Sequence, residues 1–360
     1  MIVPSALLAL AFSEVAFSLP SPAAIPGGAG LNETPVYQPL SPFDYQSFIL
    51  GLNQEYLEFA LFQDALNTFS DEQFAAAGFT PNDQYLVQYM LEQEVGHITL
   101  IQNILGGPDN APKACNYSFP FETVQDFVDL SMKITRTGES GVFGFIDHLD
   151  SRAAATVLGQ AVAVESRQQM VFRQFEGLFP FPYSFIPVIS QAMAWTAQTQ
   201  FTTSCPATNP KIEWQAFPYL NITNAPNGTA LPDGNFSTPS LSSNRTLSQP
   251  GNTVNLAWDA PGMQVGPDKN YTTTTNASAP KFAAWVSQLN TTYTPLTNIS
   301  GNTAQTLQPD ATTIFGNDTS TTVNGTIFVL ITDTDLYVTP FNFSLIDAHV
   351  VAGPALYIAG

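Results

Sequence analysis

Charge is scarce in this chain, and positive charge is scarcest. Of 360 residues only 10 are lysine or arginine, against 29 aspartates and glutamates, giving a net charge of -19 and a pI near 4.1. Charged residues make up 11% of the chain, less than half of the roughly 25% usual for soluble domains. So few cations cannot build the basic patch that nucleic acid or an anionic membrane surface requires, and both are argued against as partners. Cysteine is nearly absent too. Only Cys115 and Cys205 are present, without the CxxC-type spacing of a cysteine-built metal site. Beyond a short apolar run near the N-terminus, no stretch approaches the ~18 apolar residues that would span a bilayer, so no transmembrane anchor is expected.

Polarity comes instead from threonine, asparagine and serine, a composition suited to an acidic or extracellular medium. Ile2 to Phe12 form the short apolar run, and Ala16-Phe17-Ser18 offers a small-x-small cleavage site. Residues 1–18 therefore read as a secretory signal, the alternative being an apolar segment that stays attached. Residues 19–40, rich in Pro, Gly and Ala, should form an extended arm. In an exported protein the two cysteines are expected to form one disulfide, with two buried free thiols as the alternative. Asn-x-Ser/Thr occurs at Asn32, Asn116, Asn221, Asn227, Asn235, Asn244, Asn270, Asn276, Asn290, Asn298, Asn317, Asn324 and Asn342. None of these sequons falls inside the helices argued below, where a glycan would block packing. Glycosylation is expected at Asn116, Asn221, Asn227, Asn270, Asn290 and Asn324.

The first two hundred residues carry helical periodicity with an anomaly. Apolar positions recur at steps of three and four through Phe48, Leu52, Phe59, Phe62 and Leu66, and Glu55 sits in that seam. A second seam runs Val87, Met90, Glu94, His97, Ile101, Ile104. A third runs Met132, Thr135, Glu139, Val142, Ile146, and a fourth Leu158, Ala161, Glu165, Gln168, Phe172. Each of four helices thus points one carboxylate inward. One adds a histidine three residues on, and another a glutamine at the same offset. Unpaired buried carboxylates are too costly to leave uncompensated. Four-helix proteins that hold two metal ions use such a pattern: Glu from two helices and Glu-x-x-His from the other two. Glu58 and Glu92, at the seam edges, read as solvated. Ser41-Pro42 and Thr80-Pro81 mark the starts of the first two long helices, and Ser70 a short one between them. The third should cover 123–149, the fourth 151–178, and a further amphipathic helix 184–199.

Composition shifts near residue 215. Val254 to Trp258, Phe282 to Leu289, Thr326 to Thr332 and Ala348 to Ile358 look like strands at sandwich-like spacing. No catalytic constellation is visible there. The expected fold class is α+β, with a helical bundle over 41–212 and a Thr/Asn-rich β-sandwich-like domain over 213–360.

Four short runs resemble the fungal secreted ferritin-like domain proteins, often labelled stress-response or sexual-development proteins. They are Leu52-Asn53-Gln54-Glu55-Tyr56-Leu57-Glu58, Glu92-Gln93-Glu94-Val95-Gly96-His97, Gly138-Glu139-Ser140-Gly141-Val142 and Val164-Glu165-Ser166-Arg167-Gln168. The run from Asn342 to Gly360 resembles that family as well. The resemblance implies a ferritin-like bundle in which Glu55, Glu94, His97, Glu139 and Glu165 stand at metal-ligand positions for iron or manganese. The sixth position is normally histidine and here is Gln168, which leaves the second half of the site short of a nitrogen ligand. Without metal, shared protons and hydrogen bonds, with Arg136 or Arg167, would neutralise the cluster. Two function classes follow. One is a metal-binding or oxidative protein that handles oxygen or peroxide. The other is a non-catalytic scaffold whose glycosylated sandwich meets cell-wall components.

Overall fold

A computed structural model of the chain describes residues 34–230, 245–310 and 323–360. The expected signal over 1–18, most of the arm over 19–40, and the sequons at Asn32, Asn235, Asn244 and Asn317 lie outside the described residues.

Helices begin where the sequence supplies acceptors for the N–H groups that a helix leaves open. The Ser41 hydroxyl caps α1 (Pro42–Thr68), which has proline in its first turn. Capping boxes open α2 (Asp71–Ala76), α3 (Pro81–Ile104) and α4 (Val124–Phe143), through Ser70 with Gln73, Thr80 with Asp83, and Thr123 with Asp126. Ser151 caps α5 (Arg152–Phe175) and Ser190 caps α6 (Gln191–Gln198). Two of these helices are shorter than the periodicity predicts. The helix expected over 123–149 ends at Phe143, and a 3-10 turn over Ile146–His148 follows. Ile189 crosses its end: the Ile189 N–H bonds Ser140 O, and a Cβ on Gly144 would collide with Ile189 O. The helix expected over 184–199 begins only at Gln191. Pro187 has no N–H to give and biases the residue before it toward extended backbone.

The strands are β1 (Asn116–Tyr117), β2 (Thr202–Ser204), β3 (Leu220–Ile222), β4 (Thr253–Trp258), β5 (Gln264–Val265), β6 (Tyr271–Thr272), β7 (Phe282–Ser287), β8 (Asn290–Pro295), β9 (Thr297–Ser300), β10 (Thr303–Leu307), β11 (Gly325–Thr332) and β12 (Val350–Ala359). Two four-stranded antiparallel sheets result, in the orders β3-β4-β10-β9 and β12-β11-β7-β8. The four predicted strands become β4, β7, β11 and β12. Those missed are short or built of threonine and asparagine, such as the edge strands β8 and β9, so no apolar alternation announces them.

In the second sheet β7 and β11 are buried on both faces. Ala283, Trp285, Ile327, Val329 and Ile331 pack on Leu220, Ile222, Val254 and Leu256 of the first sheet. The alternate residues Ala284, Val286, Phe328 and Leu330 join Leu50, Leu52, Met193 and Trp195 of the helices. A strand covered on both sides reads as an unbroken apolar run, which accounts for the composition of β7 and β11. The remaining helical core joins Leu57, Leu61 and Phe62 of α1 to Val87, Met90, Phe127, Met132 and Phe172. Packing is continuous across residues 212 and 213. Among the described residues no helix is long and apolar enough to cross a membrane.

Cys115 and Cys205 form a disulfide beside the β1–β2 ladder, with their Cα atoms 4.3 Å apart. It closes a loop of sequence separation 90. The Cys115→Ser/Cys205→Ser protein should lose about 4 kcal/mol on the chain-entropy account, visible as a lower denaturant midpoint with an unchanged fold.

Glu176, at the end of α5, is fully buried, and neither of its carboxylate oxygens has a hydrogen-bond partner. Arg245 clamps the neighbouring loop, donating to the carbonyls of Glu176, Asn227, Gly228 and Ala230. A Cβ at Gly228 would lie 2.7 Å from both Asp129 Oδ1 and Glu176 Oε2, so a larger residue there would have to displace these carboxylates. Burial, and next the Asp129 charge, raise the Glu176 carboxyl to about 8, against the pull of Lys133, Arg173 and Arg245. The unfolded chain binds this proton less tightly. Stability should therefore fall by a few kcal/mol as pH rises from about 4.5 to about 8, then level off. Glu176→Gln should flatten that slope in urea titrations run across the window.

Candidate metal centre

Four helices deliver the central side chains. Glu55 comes from α1, Glu94 and His97 from α3, Glu139 from α4, and Glu165 and Gln168 from α5; all six are buried. His97 Nδ1 is the meeting point. It lies 3.2 Å from Glu55 Oε2, 3.1 Å from Glu94 Oε2 and 3.8 Å from Glu165 Oε1. Glu55, Glu94 and His97 each offer one ligand atom within 4.8 Å of the others, the spacing of a metal cradle. The i, i+3 offset puts Glu94 and His97 on one helix face. Glu165 stands beside them, and its Oε2 is buried without a hydrogen-bond partner.

Gln168 and Glu139 are placed differently. Gln168 Nε2 donates to Glu94 Oε1 at 2.7 Å and to Gln93 Oε1 at 3.2 Å, while its own Oε1 stays unpartnered. An amide N–H therefore occupies Glu94 Oε1, while Glu94 Oε2 faces His97. Glu139 is fully buried, but its neighbour is Arg136, whose Nη1 lies 2.8 Å from Glu139 Oε2. The ion pair joins residues on adjacent turns of α4, and it leaves Glu139 outside the group that surrounds His97. Arg136 is further held by Tyr183, through its hydroxyl and across the face of its ring. Arg167 is exposed.

One residue corrects the sequence reading. Glu58 was expected to be solvated and is instead 1% exposed. It accepts from Gln54 Nε2 at 2.7 Å and from Thr135 Oγ1 at 3.2 Å. The seam-edge argument fails because residues 47–58 of α1 are buried on every side, by α3, α4 and α6. The available signal was Gly138, a glycine within a helix, which leaves room for this carboxylate. Glu92 is exposed, as expected.

The electrostatics follow from burial. Desolvation is the largest influence on each group and favours neutral forms. It holds Glu58 and Glu165 well above the usual carboxylate range, and the other carboxylates of the cluster add to the rise. Glu94 is raised to about 7 by burial, less the opposing bond to His97. At His97 burial opposes the charge, yet the hydrogen bonds and charges of Glu55 and Glu94 outweigh it and push the imidazole up to about 12. Burial also lifts Glu139 despite the Arg136 charge beside it. Without metal, His97 is thus held as an imidazolium beside Glu55 and Glu94, and burial pushes the flanking Glu58 and Glu165 carboxyls toward the protonated form.

The residues fit one metal ion. Glu55, Glu94 and His97 supply two oxygen donors and a nitrogen donor, and Glu165 brings an acceptor oxygen with no donor of its own, a set suited to iron or manganese. They do not fit a second, since Glu139 is committed to Arg136 and an amide donor replaces a ligand at Gln168.

The sequons among the described residues bear on surface chemistry. Asn116, Asn221, Asn227 and Asn270 are exposed, whereas Asn324 is half-buried and its Oδ1 accepts from the Gly325 N–H. Asn290 begins β8.

Close packing around Glu58 makes a further expectation. A Cβ on Gly138 would lie 2.6 Å from Glu58 Oε1 and 3.3 Å from Gln54 Cγ, whereas one on Gly159 of α5 meets only Ile146 Cδ1 at 3.6 Å. Gly138→Ala should destabilise by ~1–3 kcal/mol through overpacking. Gly159→Ala, with the same gain in helix propensity and room for the methyl, should stabilise by up to ~1 kcal/mol. Paired thermal unfolding of the two variants checks both signs.

Comparison with known proteins agrees with this architecture. The profile of the ferritin-like domain family matches residues 43–178, which span α1 through α5. Protein rds1 of Schizosaccharomyces pombe is 46% identical over 346 residues, covering 93% of this chain and 85% of that protein. The likeness therefore runs through the sheets as well as the helices, and the chain belongs to the same fungal family as Protein rds1, with a ferritin-like domain as its helical part.

Proposed function

We propose that this is a secreted, glycosylated metalloprotein that binds one iron or manganese ion on Glu55, Glu94 and His97, with Glu165 as the fourth donor. The observation that carries the reading is the convergence of three buried donors within 4.8 Å beside an orphaned, buried Glu165 oxygen. An ion of this kind supplies one-electron redox chemistry toward oxygen or peroxide. The chain's own residues do the rest. Glu55 and Glu94 bind and balance charge, His97 fixes the ion's position on α3, and Gln54 and Thr135 orient Glu58 at the edge of the centre. Export is supported by the apolar N-terminal run, by the disulfide and by exposed sequons. A place in stress response or development rests on family resemblance alone.

A second reading is favoured by a separate observation: cations of the chain itself already meet several of the buried carboxylates. His97 bridges Glu55 and Glu94, and Arg136 meets Glu139. On that reading the bundle is a metal-free scaffold and the sandwich contacts cell-wall components.

Elemental analysis of the purified secreted protein decides between them. The metal reading expects about one equivalent of iron or manganese, and at least a tenfold loss of affinity in His97→Ala, which removes the nitrogen donor. Gln168→His should stay near one equivalent, because Glu139 remains with Arg136; a rise toward two would show that Gln168 alone closes the second position. Binding must displace protons from the raised carboxyls and from His97, so affinity should strengthen as pH rises through about 7. Absence of metal, with a thermal transition that a chelator leaves unchanged, would leave the scaffold.

A further inference from the structure

A cavity of about 440 Å³ lies where the helices meet the sheets. Its walls are mainly apolar and come from both layers: Leu57 of α1, Ile134 of α4, Phe201 after α6, Ile222 of β3, Phe328 of β11 and Leu356 of β12. The volume falls within the range of small-molecule sites, about 300–1,000 Å³, and the mix of apolar walls with a few amides is typical of them. Among its lining residues Lys133 alone carries charge, and Lys133 Nζ is held by Asp129 Oδ2 at 2.5 Å. The remaining polar groups are neutral, chiefly the amides of Gln54, Gln198 and Gln200, while Asn221, an exposed sequon residue, lies on the solvent side.

Three residues stand between this chamber and the carboxylate centre. A second cavity, of about 10 Å³, is lined by Glu55 and Glu165 together with Gln54, Thr137 and Gln198. Those last three residues line the large chamber too, and so form a partition between the two spaces. Gln54 shows what the partition presents. Both hydrogens of its amide are committed, to Glu58 Oε1 at 2.7 Å and to Ile134 O at 3.1 Å. Its carbonyl oxygen remains to accept from a molecule in the chamber. Gln198 likewise gives its N–H to Leu50 O and uses its oxygen for Asn53.

We propose that the chamber is a binding site for a neutral, largely apolar small molecule with a hydroxyl at its inner end, lodged between bundle and sheet with that hydroxyl toward Gln54. A carboxylate ligand finds no free cation in the chamber and faces the oxygen of Gln54. The chamber's role as the approach to a metal centre rests on the metal reading above; the binding itself does not.

The test uses the full secreted chain and the neutral fluorophore N-phenyl-1-naphthylamine. Its fluorescence should rise in a saturable, one-site manner, and 1-decanol should displace it. Decanoate, with the same tail and a charge, should compete at least about tenfold less well, equivalent to ~1.4 kcal/mol. Ala225 and Gln200 line the chamber with exposed side chains, so a large ring at either can fill its mouth without touching the core. Ala225→Trp and, independently, Gln200→Trp should each weaken the probe at least about tenfold, with thermal unfolding and metal content unchanged. Non-saturable probe binding, decanoate competing as well as decanol, or full affinity in a folded tryptophan variant would overturn the proposal. The two readings separate cleanly. One-site binding by a protein without metal sinks the metal centre and keeps the chamber, while a metal-loaded protein that fails to bind the probe does the reverse.

Discussion

A carboxylate enclosed in a helical bundle must be met by a cation, by hydrogen-bond donors or by a proton. Six glutamates among the described residues are buried, and they are answered in different ways. Glu55 and Glu94 share His97. Glu58 has the donors of Gln54 and Thr135. Glu139 has Arg136. Glu165 and Glu176 are left to burial, which makes them hold a proton more tightly. Helix positions, glycine placement and the fate of each candidate ligand follow from these separate solutions. The region around His97 carries the largest surplus of acid per available cation, and a metal ion has most to contribute there.

The inward direction of the acids was legible because helix periodicity is a statement about faces. Glu55, Glu94, Glu139 and Glu165 occupy apolar seams, and all four are buried. Periodicity says nothing about which neighbour a buried group will find. Arg136 lies three residues before Glu139, a spacing that on most helices marks an exposed pair. Here the whole α4 segment from Ile134 to Val142 is enclosed, and the pair is internal. Glu58 was misread for a related reason. A helix covered on one side has an edge, but residues 47–58 of α1 have none. In the C-terminal half, strands whose side chains are apolar on both faces stood out. Threonine-rich edge strands did not, because their ladders are held by backbone bonds that leave no mark on composition.

The two-sided burial of β7 and β11 also bears on the centre. A polar chain runs from the bundle into the sheet. Arg136 contacts Tyr183, the Tyr183 hydroxyl donates to Gln169 Oε1, Gln169 Nε2 donates to Thr326 Oγ1, and Arg173 Nη1 reaches the same threonine at 3.1 Å. Thr326 belongs to β11. The arginine that occupies Glu139 is thus fixed from the sheet side, through the segment between α5 and α6. The obstacle to a second ion here is therefore more than the presence of glutamine at 168. Restoring an imidazole there would still leave Glu139 bound to an arginine that cannot swing away without surrendering its contact to Tyr183. Chains of buried polar groups favour all-or-none arrangements, since each member left unpaired costs more than it gained when paired. On the proposed metal reading, the sheet, in holding Arg136, leaves the side of the bundle at His97 as the one where an ion would bind.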